Sequence, residues 1–334
     1  MSYHVLLVCG GNGSEHEISL ISASYVEEKL KSIPEFKLTY AVLDQGQFKT
    51  REGETLIFDD KGNMLQGESV THVDVVIPCL HGKPGETGDI QSFFNLHQIP
   101  SIGCQAQSSR VCFNKVLTKL CLTAFDIPNT PFVILGNFDE ENLNKAFKFF
   151  EKEQDVYVKA ASQGSSIGCY HVQDLSELKD SIAEAFAYSD SVIIEKTIPH
   201  RELEVAAFEI DGKIQISTPG EIIMPSDVFY TYDEKYSKSS GTVTTVEPKG
   251  LDPQVIEQIL SYAYKAFVNL KMQDLCRIDF FLSDKGEVIL NEANTFPGMT
   301  PISMFPKLVE HMGYDMAEFF KQAVMRAIKR GPVL

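Results

Sequence analysis

The chain has 334 residues, 43% of them hydrophobic and 23% charged, enough at about 100 to 200 residues per domain for two or three domains with their own cores, and too apolar for disorder. Acidic residues number 46 against 30 basic ones, a formal net charge of −16, which is the wrong sign for binding nucleic acid or an anionic membrane surface. Seven cysteines without a CxxC spacing, mostly inside apolar runs, read as reduced core residues and not as a disulfide frame or zinc site. With no signal-like first segment and no long uncharged apolar run, a soluble cytoplasmic protein is expected.

In chain order, Val5 to Val8 read as a buried strand, Gly10 to Gly13 as a turn, and the segment from Ser14 as a helix with Ser14 and Glu17 forming a capping box. Buried-type strands at Leu38 to Leu43 and Val73 to Ile77 complete an α/β unit, residues 1–104, in which a parallel sheet is covered by helices. Pro100, Gly103 and the polar run Gln105 to Ser109 mark a boundary, followed by one helix around Arg110 to Ala124. Residues 105–195 then read as a small α+β module: strands at 132–135, 156–159, 169–172 and 192–194, and helices at 140–152 and 175–188. A third unit, 196–334, holds a hairpin turning at Asp211-Gly212, an aperiodic stretch at 224–241 that suits a functional lid, helices at 253–270 and 315–329, and a second hairpin turning at 283–286.

That second hairpin is the most informative segment. With Asp284 and Lys285 at its tip, position 282 pairs with 287 and 277 faces 292, so 277, 279, 290 and 292 share one face. Arg277, Asp279 and Glu292 then converge beside Asn294, and an all-oxygen ligand set suits a hard cation such as Mg²⁺ carried with phosphates. The alternative is a surface hairpin with solvated acids, which the surrounding Ile278, Phe280, Phe281, Leu282, Ile289 and Leu290 disfavour. The loop from Lys159 to Gly168 is rich in small residues and could cradle phosphate, although taken alone it fits an ordinary turn equally well. Glu195, Lys196 and Glu202 suit ribose and adenine or, without context, a solvated strand end. His81 follows a buried strand on a glycine-rich loop, where open α/β sheets bind ligands. Gly11-Asn12-Gly13 is not a dinucleotide fingerprint, because position 16 is His.

These motifs, taken in order, resemble the D-alanine–D-alanine ligase family of ATP-grasp enzymes nearly end to end. The resemblance is carried by Gly10 to Ser19, His81-Gly82 with Gly85 to Gln91, Lys159 with Gly164 to Gly168, Phe229 to Tyr236, Arg277 to Phe281 and Asn291 to Thr300. It implies a three-domain ATP-grasp fold, α/β and α+β, with an N-terminal parallel-sheet domain and 224–241 as omega loop. The implied activity is ATP-dependent joining of two D-alanines through an acyl phosphate, for peptidoglycan precursors. The alternative is a related ligase taking D-lactate, D-serine or another amino acid second.

By the same resemblance, Glu15 holds the first ammonium, and Ser165 and Tyr236 latch the omega loop to it. Lys115 and Lys159 meet ATP phosphates, Glu195, Lys196 and Glu202 the adenosine, and Lys235 the transferring phosphoryl. Asp279, Glu292 and Asn294 ligate two Mg²⁺ (or Mn²⁺), Arg277 and the Gly298 N–H stabilise the oxyanion, Ser303 receives the second carboxylate, and His81 lies beside the substrates. The expected partners are D-alanine and ATP, with no nucleic acid and no membrane, in a homodimer. Asn114 stands where Asp commonly precedes the lysine, and Ala160 replaces a usual proline, which frees a fixed φ in the phosphate loop.

Overall fold

Alternating apolar stretches and glycine-bearing turns build three sheets in the computed structural model, which describes residues 2–223 and 242–333. The expected omega loop with Lys235 and Tyr236 lies outside the described residues.

The first sheet has the order β6-β5-β4-β3-β2-β1-β7. Its strands β1 (Tyr3–Gly10), β2 (Phe36–Asp44) and β7 (Val75–Pro78) are parallel, as expected, β7 and most of β1 fully buried and β2 only partly so, and the helix α1 (His16–Lys31) makes the crossover from β1 to β2. The rest corrects the all-parallel reading. Strands β3 (Gln47–Lys49), β4 (Thr55–Phe58), β5 (Asn63–Gln66) and β6 (Ser69–His72) continue from β2 as an antiparallel meander. The first turn of that meander is Gln45-Gly46, both with positive φ, the twist-matched geometry of a two-residue hairpin. Helix α1 also departs from expectation. Its N-cap is Glu15, with no side-chain capping bond, so the capping box does not form.

After α2 (Asp89–Leu96), the expected single helix at Arg110 to Ala124 is two: α3 (Ala106–Phe113) and α4 (Lys115–Ala124). Asn114 between them is extended, and its side-chain oxygen accepts from the Leu117 N–H, capping the second helix. The central sheet, β10-β9-β11-β8, is antiparallel and matches the expected elements: β8 (Phe132–Leu135), β9 (Val156–Ala160), β10 (Cys169–Val172) and β11 (Val192–Lys196), with α5 (Glu140–Glu153) and α6 (Leu175–Phe186) packed on it. It has a core of its own, including Leu135, Phe150, Val158, Ile182 and Ile194. The Lys196 N–H donates to the Pro131 carbonyl at 3.0 Å, so entry and exit of this unit lie side by side.

The third sheet is built on β12 (His200–Ile210), with β13 (Lys213–Ile216), β14 (Gly220–Ile223) and β15 (Val243–Thr245), and on the hairpin of β16 (Leu275–Ser283) and β17 (Val288–Asn294); its order is β15-β14-β12-β16-β17, with β13 also paired to β12. The Asp211-Gly212 hairpin forms as expected, Ile210 pairing with Lys213. Helices Met304–His311 and Met316–Arg330 bridge this sheet to the first: Phe305, Phe319 and Phe320 share one core with Val5, Leu7, Ile77 and Phe208. The seven cysteines are free, five of them buried. Among the described residues no helix is long and apolar enough to cross a membrane.

Candidate active site

One cavity of about 1020 Å³ lies where the three sheets meet. Its walls include Glu15 and His81 from the first unit, Lys159, Gln163 to Ser166 and Glu195 from the central one, and Arg277, Glu292 and Asn294 from the last.

At the first wall, α1 begins at the end of β1 and its N-cap Glu15 points across the cavity. The Ser165 hydroxyl donates to Glu15 Oε1 at 2.6 Å, joining residues 150 positions apart. The close packing depends on Gly82, where a Cβ would fall 2.1 Å from Glu15 Oε2. The Gly82 N–H donates to Glu86 Oε2 at 2.9 Å, and burial together with the nearby Glu15 charge pushes the Glu86 carboxyl up to about 8. His81 is buried with Nδ1 3.2 Å from the Phe296 carbonyl, which fixes the proton on Nδ1, so that Nε2 accepts from the Ser22 hydroxyl at 2.8 Å. Ser22 Oγ also accepts from the Met299 N–H. Burial pulls His81 down to about 4, so it is a neutral orienting group that ties the Phe296–Met299 loop to α1.

At the second wall, the loop after β9 turns through left-handed backbone at Ser165 (φ 51°), Ser166 (φ 60°) and Gly168 (φ 66°), closed by the Ile167 N–H donating to the Gly164 carbonyl at 3.1 Å, and Gln163 to Ile167 line the cavity. Lys115, at the start of α4, donates from Nζ to the Gln163 carbonyl at 2.6 Å, and the Asn114 amide donates to Ser162 Oγ at 2.9 Å, tethering this loop. Lys159 Nζ donates to Glu195 Oε2 at 2.8 Å. Glu195 Oε1 faces a second cation, Lys119 Nζ, at 3.3 Å. Burial by itself would raise Glu195, but attraction to Lys119 and Lys159 outweighs it and holds the carboxyl down at about 2. Burial also lowers the Lys119 ammonium from the ordinary lysine value, against the opposing pull of Glu195. Lys196 reaches Glu153 Oε2 at 2.9 Å at the cavity edge, and Glu202 lines the cavity on β12.

The third wall is the β16–β17 hairpin, and here the register differs from the expected one. Leu282 pairs with Val288 and Phe280 with Leu290, but Asp279 pairs with Glu292 and Arg277 with Asn294. One extra residue, Asn291, is accommodated between Asp279 and Phe280, a β-bulge. Position 290 is therefore not on the acidic face; Leu290 is buried in the core beneath it. Asp279 is 1% exposed and held bidentately by Arg277, Nε to Oδ1 and Nη2 to Oδ2, each 2.8 Å, while the Asn294 amide donates to Oδ2 at 2.9 Å. Glu204, opposite Asp279 on β12, lies 3.3 Å from Arg277 Nε. Burial by itself would lower Arg277, yet Asp279 and Glu204 hold it well above the ordinary value. The charge compensation expected from a metal is thus supplied for Asp279 by Arg277.

No three His, Cys, Asp or Glu side chains converge as a metal cage among the described residues. Glu292 and the Asn294 amide oxygen nonetheless line the cavity with the buried Asp279 carboxylate directly behind them, an oxygen donor set that suits a hard cation arriving with phosphates and taking only one or two carboxylates from the protein. Gly298 and Ser303 lie together at the far end: a Cβ on Gly298 would meet Ser303 Oγ at 2.9 Å, and Ser303 Oγ accepts from the Thr300 N–H.

Of the expected site residues among those described, all but the deeply buried Asp279 line this cavity. Sequence reasoning missed Glu86, Glu204 and Lys119. The only signal for the last was a second lysine one helical turn after Lys115 on an otherwise apolar face.

Residues 4–104 match the family model for the D-ala D-ala ligase N-terminus, and residues 121–325 match that for the D-ala D-ala ligase C-terminus. The chain is 48% identical over 326 residues to the D-alanine--D-alanine ligase of Tolumonas auensis, covering 98% of this chain and 99% of that one. It is 47% identical to its counterpart in Aliivibrio fischeri over 98% of this chain and 99% of that one. The crystal structure of D-alanyl-alanine synthetase A from Vibrio cholerae superposes with a TM-score of 0.94 at 43% identity, covering 98% of each chain.

Proposed function

Since the chain belongs to the D-alanine–D-alanine ligase family, we propose that it joins two D-alanines into D-alanyl-D-alanine, with cleavage of ATP to ADP and phosphate, for peptidoglycan precursors. The observation that carries this reading is the single cavity onto which an ammonium-binding carboxylate, a phosphate-type loop with two lysines and an oxygen donor set with an arginine all open.

A carboxylate is a poor acyl donor because its leaving group would be oxide. Transfer of the γ-phosphoryl to the first D-alanine converts it to an acyl phosphate, and the second amine then attacks the carbonyl and expels phosphate. Glu15, braced by Ser165, holds the first ammonium. Lys115, Lys159 and the N–H groups of the loop orient the triphosphate, while Lys196 and Glu202 flank the adenosine. Arg277 has Nε and Nη2 on Asp279, which leaves its Nη1 end to meet the tetrahedral oxyanion with the Gly298 N–H, an interaction worth a few kcal/mol per donor. Ser303, on the same loop, receives the second carboxylate. Two Mg²⁺ held by Glu292, Asn294 and Asp279 would supply charge neutralisation for the phosphates. Lys235 and Tyr236 are assigned by resemblance alone to the phosphoryl group and to the latch on Ser165.

We read 1–104, 105–195 and 196–334 as the three functional units, the protein as cytoplasmic and its assembly as a homodimer, which light scattering tests. The activity itself is tested by measuring phosphate and dipeptide together from ATP with D-alanine, L-alanine, D-serine and D-lactate. Equal phosphate and D-alanyl-D-alanine from D-alanine is the expected result. Stoichiometric AMP, or preference for D-lactate at neutral pH, overturns it.

A further inference from the structure

Lys119 has no part in the reaction as derived above, yet its ammonium is buried inside the protein. It is 1% exposed on α4, 5.8 Å from the Phe132 ring centroid, and it makes an ion pair with Glu195 at 3.3 Å without a hydrogen-bond partner among the described residues. Burying an ammonium is costly, and a methionine of similar length would fill the space at lower cost, so packing does not account for the charge.

The neighbours suggest what the charge does. Glu195 is 2% exposed and touches both lysines, Lys119 on Oε1 and Lys159 on Oε2. Lys159 and Glu195 lie on one face of the central sheet, because Lys159 pairs with Ile193 and Glu195 with Tyr157. Lys159 lines the cavity, whereas Lys119 sits behind Glu195. Two ammoniums against one carboxylate leave a single positive charge, and the one exposed to the cavity is that of Lys159. Without Lys119, Glu195 would cancel Lys159 and the wall facing the nucleotide would lose one of the two lysine charges proposed to meet phosphates, leaving that of Lys115.

We propose that Lys119 is a positioning residue for nucleotide phosphates: it neutralises Glu195 from behind, so that the Lys159 ammonium remains uncompensated toward the cavity. The inference rests on the reading of this cavity as the ATP site. It also explains how an acidic residue can stand beside a phosphate-binding lysine without cancelling it.

The test compares dissociation constants of adenosine and ADP, measured by calorimetry without added divalent cation, for the wild type, Lys119→Met, Lys119→Gln and Lys119→Met with Glu195→Gln. The ratio of adenosine to ADP constants isolates the phosphates from any adenine contact of Glu195. Either neutral Lys119 variant is expected to lower that ratio about tenfold or more, the order of one lost charge several ångströms from a phosphate. The double variant, in which Lys159 alone carries the surplus charge, is expected to return to within about threefold of wild type. A residue needed only for folding would not give this recovery. A ratio unchanged in the single variants, or equally low in the double variant, overturns the proposal while leaving the site assignment intact. Failure of the wild type to bind ADP overturns both.

Discussion

Replacing Gly82 by alanine separates the substrate-binding carboxylate from the fold that carries it. The new Cβ falls 2.1 Å from Glu15 Oε2 and 3.3 Å from its Cδ, at a backbone φ of +61°. The left-handed conformation costs a non-glycine residue about 1 to 2 kcal/mol, which predicts a fall of a few degrees in Tm for a chain of this size. The clash is with the end of a side chain, so the carboxylate moves aside and the backbone stays. In moving it leaves the Ser165 hydroxyl, 2.6 Å away, a charge-assisted bond worth about 1.5 to 3 kcal/mol. At 1.4 kcal/mol per tenfold, first-site affinity for D-alanine should drop roughly 10- to 150-fold. The assay is the KM for D-alanine at saturating ATP, with ADP affinity measured alongside. A variant with the lowered Tm but a D-alanine KM within about twofold of wild type refutes the placement of Glu15 at the first ammonium.

Three other perturbations follow from the same geometry. Glu292→Gln should raise the Mg²⁺ concentration for half-maximal turnover roughly tenfold or more, by removing one ligand charge, and unchanged Mg²⁺ dependence removes Glu292 from the donor set. Asp279→Asn should also destabilise the fold by about 3 to 5 kcal/mol, because Arg277 loses its bidentate partner and retains only Glu204; chemical denaturation decides between this and a purely catalytic loss. For Glu86 the folded pKa, about 8, lies above the ordinary 4.5, so the folded state binds the extra proton and stability falls as pH rises between those values. The Tm of the wild type relative to Glu86→Gln should therefore decline from pH 5 to pH 8, and a flat difference sinks the assignment.

The central sheet was legible almost residue by residue, since its strands are short, amphipathic and separated by capped helices such as α5, whose Asp139 accepts from the Asn142 N–H. The hairpin at 276–292 was legible as a hairpin and misread in register. A bulge leaves no mark on alternation in a strand buried on both faces, and so Leu290 could be assigned to the acidic face although it packs in the core. The capping box was misread for a different reason: Glu15 and its hydroxyl partner are 150 residues apart, and local spacing cannot report a bond from another sheet. The meander after β2 had visible turn signals at Gly46, Gly62 and Gly67, but strands of three or four residues fall below the length at which periodicity speaks. Lys119 was invisible because a lysine on a helix is ordinarily solvated, and only the sheet behind it makes it a buried charge.

The backbone bond from Lys196 to Pro131 has a mechanical meaning. A segment that encloses its own core and whose two covalent crossings touch is attached along one line, like a page in a binding. A rotation about that line would move Lys159 and the loop after it relative to Glu292 and Arg277 without opening the apolar core that unites the first and third sheets, because the central unit keeps its own separate core. Polar contacts that resist the rotation include Lys115 to Gln163, Asn114 to Ser162, Ser165 to Glu15 and, close to the line itself, the buried pair of Lys119 and Glu195. The bonds of Lys115 and Ser165 end on Lys115 and Glu15, groups proposed to bind phosphate and ammonium, so arriving substrates would exchange contacts that fix the angle for contacts of their own. On this geometry, how far the active site opens is set by what occupies it.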